Sequence, residues 1–200
     1  MPDSIFASVL GRDMAVDLGT ANTLVYVRGR GIVTSQSIRI AGDELDEAII
    51  QYIKKEYSLA LGERTAEEIK IALGSAYPLE EELYAEIRGR DLVTGLPKTI
   101  VTSTEEIRTA IEEPVTAIVD AVKTTLDKTP PELAADIMEQ GIVITGGGAL
   151  LHGLDARFQA ETGMPIVLAK NPLHSVVIGS GQCLEEFDVL RQVLFSTADT

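Results

Sequence analysis

Three short stretches of the chain combine residue types that suit an anionic ligand. The first, Asp17-Leu18-Gly19-Thr20-Ala21-Asn22-Thr23, sets a carboxylate ahead of a glycine and short hydroxyl or amide side chains. A reversal built this way exposes backbone N–H groups to phosphate oxygens, and Asp17 can hold a hydrated divalent cation through water. The same residue types equally suit an ordinary hairpin turn. In the second, the apolar run Ile142-Val143-Ile144 leads through Thr145 into Gly146-Gly147-Gly148-Ala149. Three glycines after a buried strand let the backbone approach a flat or anionic ligand with a helix N-terminus behind it. No Gly-Lys-Ser/Thr follows and the G-x-G-x-x-G spacing is absent, so neither a Walker A loop nor a dinucleotide fingerprint is present. The alternative is a flexible connection, although three adjacent glycines cost conformational entropy, which favours ligand contact. The third, Glu67-Glu68-Ile69-Lys70, puts a carboxylate and an ammonium one helical turn apart, suited to a ribose and the flank of a base. A surface ion pair at that spacing is commoner.

The elements that must position these stretches follow from hydrophobic periodicity and turn chemistry. Short strands are expected over 14–17 and 24–28, with a third over 32–40 after Gly29-Arg30-Gly31, forming a meander. Asp43 is expected to cap a helix over 44–59, in which Leu45, Ala48, Ile49, Tyr52 and Ile53 repeat on one face. Thr65 and Glu68 have capping-box spacing ahead of a helix ending at Gly74. A strand pair over 83–90 and 96–101 turns at Thr94-Gly95, and Ser103 with Glu106 repeats the capping-box spacing before a long helix through Leu126. Pro114 implies a kink or two consecutive helices there. Thr129-Pro130-Pro131 starts a further helix that ends before Gly141. Beyond the glycines, one helix is expected with Leu150, Leu151, Leu154 and Phe158 on a face. A strand over 166–169 and a helix from Asn171-Pro172 complete the series.

The chain has 200 residues, enough for one large domain or two small ones with real cores. Seventeen Lys and Arg against 31 Asp and Glu give a formal charge of −14, which disfavours nucleic acid and broad adhesion to anionic lipid. No apolar run approaches the ~18 residues that cross a bilayer. Met1 to Leu10 lacks a basic region and a small-residue cleavage pattern, which argues against secretion. Ile5, Phe6, Val9 and Leu10 suit one short amphipathic turn, with no basic face to favour membrane over local packing. Cys183 is alone, so no intrachain disulfide forms, and one thiol with His152 and His174 makes no zinc constellation. A cytoplasmic α/β protein is expected.

Taken together, the motifs resemble the MreB family of bacterial actins. DLGTANTLVYVRGRGIV (17–33) resembles that family's first phosphate hairpin, and 34–184 resembles its second half nearly end to end. The most specific matches are TSQSIRIAGDELDEAI, EIRGRDLVTGLPKTI, KTPPELAADIMEQGIVITGGGALL and NPLHSVVIGSG. The resemblance implies an actin-like, ribonuclease H-like ATPase lobe: a mixed sheet flanked by helices, carrying a helix-rich inserted subdomain. The implied division is an N-terminal segment 1–12, a half-domain 13–60 with 127–187, the insert 61–126 and a tail 188–200. It further implies ATP and Mg²⁺ as ligands. Thr20, Ala21 and Asn22, beside Gly19, would contact phosphates, with Asp17 near the metal. Glu67, Glu68, Ile69 and Lys70 would hold the ribose and adenosine side, and Gly146, Gly147, Gly148 and Ala149 would line the cleft. The implied partners are copies of the same chain or full-length relatives in filaments, the wall-synthesis machinery and the inner face of the cell membrane.

The chain also departs from that pattern. In the family a second phosphate hairpin, typically Asp-Ile-Gly-Gly-Gly-Thr, precedes the Thr-Ser-Gln-Ser segment, whereas here Gly31-Ile32-Val33 runs directly into Thr34-Ser35. The acidic residue expected to orient the attacking water falls in the absent block, so cell-shape function with impaired ATP hydrolysis is the expectation. The alternative is a non-enzymatic lobe that binds or caps filaments of longer relatives. Both family hairpins end in Gly-Ile-Val, so 17–33 is expected to take the second hairpin's place, completing one sheet over the helix from 43 to 59 with strand register intact.

Overall fold

The structure, a computed structural model, describes residues 14–17, 22–27, 31–38 and 40–185. The segments 1–12 and 188–200, and with them the expected amphipathic turn, lie outside the described residues. The chain opens with β1 (Met14–Asp17), β2 (Asn22–Val27) and β3 (Gly31–Ser37), paired antiparallel in sequence as the turn residues imply. The second and third strands begin earlier than the expected 24 and 32. β3 runs without a break across the Val33–Thr34 joint, but its register does not: Ile32 pairs with Tyr26 and Thr34 with Val25, leaving Val33 as a one-residue bulge.

Helix α1 (Gly42–Tyr57) buries Leu45, Ile49 and Ile53, the face its periodicity marks. Its cap is Ala41, not Asp43. Gly42 is already helical, and the Ala41 N–H donates to a Glu44 carboxylate oxygen at 2.7 Å. Asp43 falls in the first turn, where its charge still complements the helix dipole. Helix α2 (Glu63–Leu73) likewise begins before the expected Thr65 box. Gly62 is the cap and its carbonyl accepts the Ala66 N–H at 3.1 Å, so Thr65 is already inside the first turn and cannot cap.

A second sheet, ordered β4-β5-β6, comprises β4 (Leu59–Ala60), β5 (Tyr84–Asp91) and β6 (Pro97–Ser103), all antiparallel. The Asp91 carboxylate closes the hairpin by accepting the Val93 and Thr94 N–H groups at 2.8 and 2.9 Å. The capping box at Ser103 forms as expected: Glu106 N–H donates to Ser103 Oγ at 3.2 Å and Ser103 N–H to Glu106 Oε2 at 3.0 Å. It starts α3 (Thr104–Ala110), and after a break at Ile111 α4 (Glu112–Asp127) continues with Pro114 in its first turn. Proline is tolerated there because that N–H has no helical acceptor.

The remaining elements alternate as α5 (Pro131–Gln140), β7 (Ile142–Thr145), α6 (Leu154–Thr162), β8 (Ile166–Leu168) and α7 (Ser175–Glu185). β7 and β8 join the meander in one five-stranded sheet, ordered β3-β2-β1-β7-β8, with β7 parallel to both β1 and β8. The helix expected directly after the glycines is interrupted. A 3-10 turn spans Gly147–Leu150, then His152 bridges Ser75 and accepts the Ala76 N–H at 2.7 Å, which holds the chain extended before α6. The last helix starts later than Asn171, at Ser175.

One continuous core links these layers. Ile49, Ile53, Ile107, Val119, Val122, Ile142, Ile144, Leu154 and Phe158 are all buried in it. α4 packs on β2 and β3, whereas α1, expected beneath that sheet, makes its main contacts with α2, β4, α3 and α4.

Candidate functional site

β1 and β7 run side by side in parallel, with Met14 beside Ile142 and Asp17 beside Thr145. Parallel pairing sends both strand ends to the same edge of the sheet. The reversal after Asp17 and the glycine run after Thr145 therefore start from adjacent positions. Gly19, Thr20 and Ala21 lie outside the described residues; Asp17 and Asn22 are placed as the flanking backbone positions, paired with each other across the hairpin.

The glycine run is shaped by its first member. Gly146 has φ 85° and ψ 171°, a conformation essentially confined to glycine. Its N–H donates to the Pro172 carbonyl at 3.0 Å, and the Thr145 hydroxyl donates to the same oxygen at 3.0 Å. These bonds fasten the 171–174 turn beside the loop and bring Leu173 next to Gly147. Gly147 and Gly148 then open the 3-10 turn, whose leading N–H groups have no acceptor within it. Ala149 is buried in the core.

A cavity of about 480 Å³ joins this loop to α2. Its walls include Gly42, Glu67, Lys70, Gly147, Gly148 and His152, with Ile71, Leu150, Leu151 and Leu173 as apolar surface. The volume is that of a small-molecule site, apolar walls with a few convergent polar groups. Gly74, at the end of α2, sets the spacing: a Cβ there would stand 2.4 Å from the Lys70 carbonyl and 3.0 Å from Leu151. A side chain there would clash with the backbone at the end of α2 and crowd Leu151.

The four residues of the α2 motif are divided by helical geometry. Glu67 and Lys70, three apart, share the cavity face. Ile69 is buried in the core, and Glu68 lies on another face, paired with Arg64 at 3.1 Å. Lys70 is not paired with Glu67 but with α1. Its Nζ donates to Asp46 Oδ2 at 2.8 Å and to the Gly42 carbonyl at 3.1 Å. Burial pushes the Asp46 carboxyl above the ordinary aspartate range, against the opposing pull of the Lys70 hydrogen bond and charge. Asp46, Gly42, His152 and Leu173 are contributors that the motif reading does not find. No short-range pattern marks them, because each reaches the site through a contact made only on folding.

Comparison with known proteins places the chain. The family model described as MreB/Mbl protein matches residues 30–192. The cell shape-determining protein Mbl of Bacillus cereus is 49% identical over 179 residues, covering 89% of this chain and 54% of that protein. The cell shape-determining protein MreB of Escherichia coli is 48% identical over 184 residues, covering 92% and 53%. The chain thus spans about half the length of the curated relatives it matches. Among solved structures, MreB5 of Spiroplasma citri bound to AMPPNP superposes with a TM-score of 0.86 at 36% identity, covering 92% of this chain and 56% of that one. The MamK double helical filament, at 22% identity and a TM-score of 0.75, shares the fold. The fold is that of an actin-like ATPase lobe, and the chain belongs to the MreB/Mbl family.

Proposed function

We propose that this chain is an ATP-binding, actin-like cytoskeletal protein of cell-shape and cell-wall morphogenesis, working at the inner face of the cell membrane with impaired hydrolysis. The observation that carries the reading is the cavity in which Glu67 and Lys70 of α2 face Gly147 and Gly148 of the loop after β7. Its chemistry suits a purine nucleotide. Lys70 and Glu67 offer a donor and an acceptor to ribose hydroxyls, Ile71, Leu150 and Leu173 offer apolar surface to a base, and the glycines let a ligand approach the backbone. MreB5 of Spiroplasma citri, which shares this fold, has been solved with AMPPNP and with ADP.

In this reading the hairpin 17–22 faces the phosphates, through Gly19, Thr20, Ala21 and Asn22. Asp17 is the residue that would hold a Mg²⁺ brought by the triphosphate, through water. The ion's contribution is to neutralise phosphate charge. The second phosphate hairpin has no counterpart between Val33 and Thr34. Losing that clamp forfeits several charge-assisted hydrogen bonds at roughly 1.5–3 kcal/mol each, so binding is weak. Turnover is weaker still, because positioning the attacking water is part of phosphoryl-transfer catalysis. Calorimetric titration of monodisperse protein with ATP, with and without Mg²⁺, tests the reading. Saturable, Mg²⁺-dependent heat supports it, and its absence at millimolar nucleotide refutes it. Phosphate release as fast as in the longer relatives would refute the impaired hydrolysis.

A second reading rests on exposed apolar residues. Leu173, Val176, Val177 and Leu184 are all exposed, on α7 and the turn before it, in a chain half the length of its relatives. A surface of that kind suits association with copies of this chain, or with filaments of a longer relative and the wall-synthesis machinery they serve. Substoichiometric arrest of a polymerising full-length relative would favour this capping role over an independent filament.

A further inference from the structure

The pair formed by Lys70 and Asp46 goes beyond the motif that drew attention to Lys70. We propose that Asp46 is the positioning residue of the cavity: it clamps the Lys70 ammonium against the start of α1, so that the cation is held on the cavity wall before any ligand arrives. The inference rests on the nucleotide reading above for the identity of the ligand, but the clamp itself rests on geometry alone.

An ammonium has three N–H donors on a long flexible stem, and holding such a group costs side-chain entropy. Here two donors are committed. One goes to Asp46 Oδ2 at 2.8 Å and one to the Gly42 carbonyl at 3.1 Å. Both acceptors belong to α1, and Gly42 lines the cavity together with Lys70. That leaves one donor for a ligand hydroxyl or phosphate oxygen, and it leaves the side chain few alternative rotamers. The dependence runs both ways. Side-chain exposures of 17% for Lys70 and 13% for Asp46 put the pair largely out of water. Asp46 Oδ1 is shielded and accepts no hydrogen bond from the described residues. Among the described residues Lys70 is the one basic group paired with this carboxylate, whose other charged neighbours, Asp43 and Glu67, are acidic. A carboxylate retained in such surroundings is poorly explained by stability, since a largely buried ion pair seldom adds net stabilisation over an apolar replacement. Placement of a cation at a binding wall explains it.

The test compares the full chain with Asp46→Asn and Asp46→Glu in three measurements. The first is the Lys70 side-chain ammonium resonance in ¹⁵N-lysine spectra without ligand, identified by its loss in Lys70→Gln. The second is ATP affinity by calorimetry, and the third is thermal unfolding. The expected result is a slowly exchanging ammonium signal in the unsubstituted chain that disappears in Asp46→Asn, together with a loss of nucleotide affinity of about tenfold or more. Asp46→Glu restores part of both, and none of the variants loses its cooperative unfolding transition. A Lys70 signal that persists in Asp46→Asn, or an affinity that does not change, overturns the proposal. So does an affinity loss shared equally by Asp46→Glu and explained by unfolding. An unsubstituted chain that binds no nucleotide refutes the nucleotide reading instead, and the ammonium resonance then decides the clamp by itself.

Discussion

Asp17 and Thr145 are neighbours on adjacent parallel strands, each the last residue of its strand, although 128 positions would otherwise separate them. The reversal between β1 and β2 leaves from one, the glycine run leaves from the other, and the α2 face closes the cavity beside the glycines.

The backbone at Gly146 gives a direct test of how the loop is held. Gly146→Ala places a Cβ at φ 85° and ψ 171°, and a loss of about 1–3 kcal/mol is expected in urea unfolding. Gly147→Ala is the control. Its Cβ would make an ordinary 3.5 Å contact with Leu173, so stability should stay unchanged while nucleotide affinity falls.

Phe158 is 1% exposed in the core between α6 and the five-stranded sheet. Its replacement by alanine should cost about 3–5 kcal/mol, through lost transfer energy and an unfilled cavity. Val93, 82% exposed at the β5–β6 turn, should tolerate alanine to within about 0.5 kcal/mol. Chemical denaturation of both variants separates the two environments.

Ser103 caps α3 through the Glu106 N–H, and Glu106 returns the bond to the Ser103 N–H. Ser103→Ala should destabilise by about 1 kcal/mol, since one orphan donor loses its partner. Glu106 also accepts from the Tyr57 hydroxyl, so a Glu106→Ala variant should be affected more than Ser103→Ala in the same unfolding assay.

That hydroxyl has a measurable alkaline signature. The hydrogen bond to Glu106, then burial, pushes the Tyr57 phenol up to about 12 from its ordinary 10. A raised pKa favours the neutral form in the folded chain. The contribution to stability is therefore complete below pH 10 and is lost as pH rises from 10 towards 12. Burial also raises the Tyr52 phenol, so ultraviolet titration of phenolate absorbance should show a late-ionising component that shrinks, without vanishing, in Tyr57→Phe.

Asp91 behaves oppositely. Hydrogen bonds from the Thr94 and Val93 N–H groups, then from Lys98, hold its carboxyl down at about 2. A depressed carboxylate stabilises the fold above its unfolded pKa, and the contribution disappears as pH falls from about 4 to about 2. Carboxyl-detected NMR titration should place Asp91 below the ordinary aspartate range, and Asp91→Asn should remove that acid-sensitive part of stability.

Much of this was legible in residue types and spacing. The Ser103–Glu106 cap, the proline start of α5, the apolar strand β7 and the buried face of α1 each follow from local chemistry. The errors were local as well. Asp43 and Thr65 look like caps because short oxygen-bearing side chains favour that position, but Gly42 and Gly62 could join or cap the helix first. The helix expected after the glycines depended on 150–158 as an isolated stretch. It is broken by the pairing of His152 with Ser75, which no sequence window contains.

What the sequence determined by itself is the set of chemically competent groups: a glycine run behind a buried strand, a Glu/Lys turn of helix, and a resemblance carried by nearly the whole chain. Tertiary structure decided which of those groups meet. It turned Glu67 and Lys70 to the cavity, assigned Glu68 to Arg64 and Ile69 to the core, and gave Lys70 its partner on α1. The physical reason is that residue identity sets what a side chain can bond. Its partner is set by the packing of α1 on α2 and of β1 against β7, which bring together residues far apart along the chain.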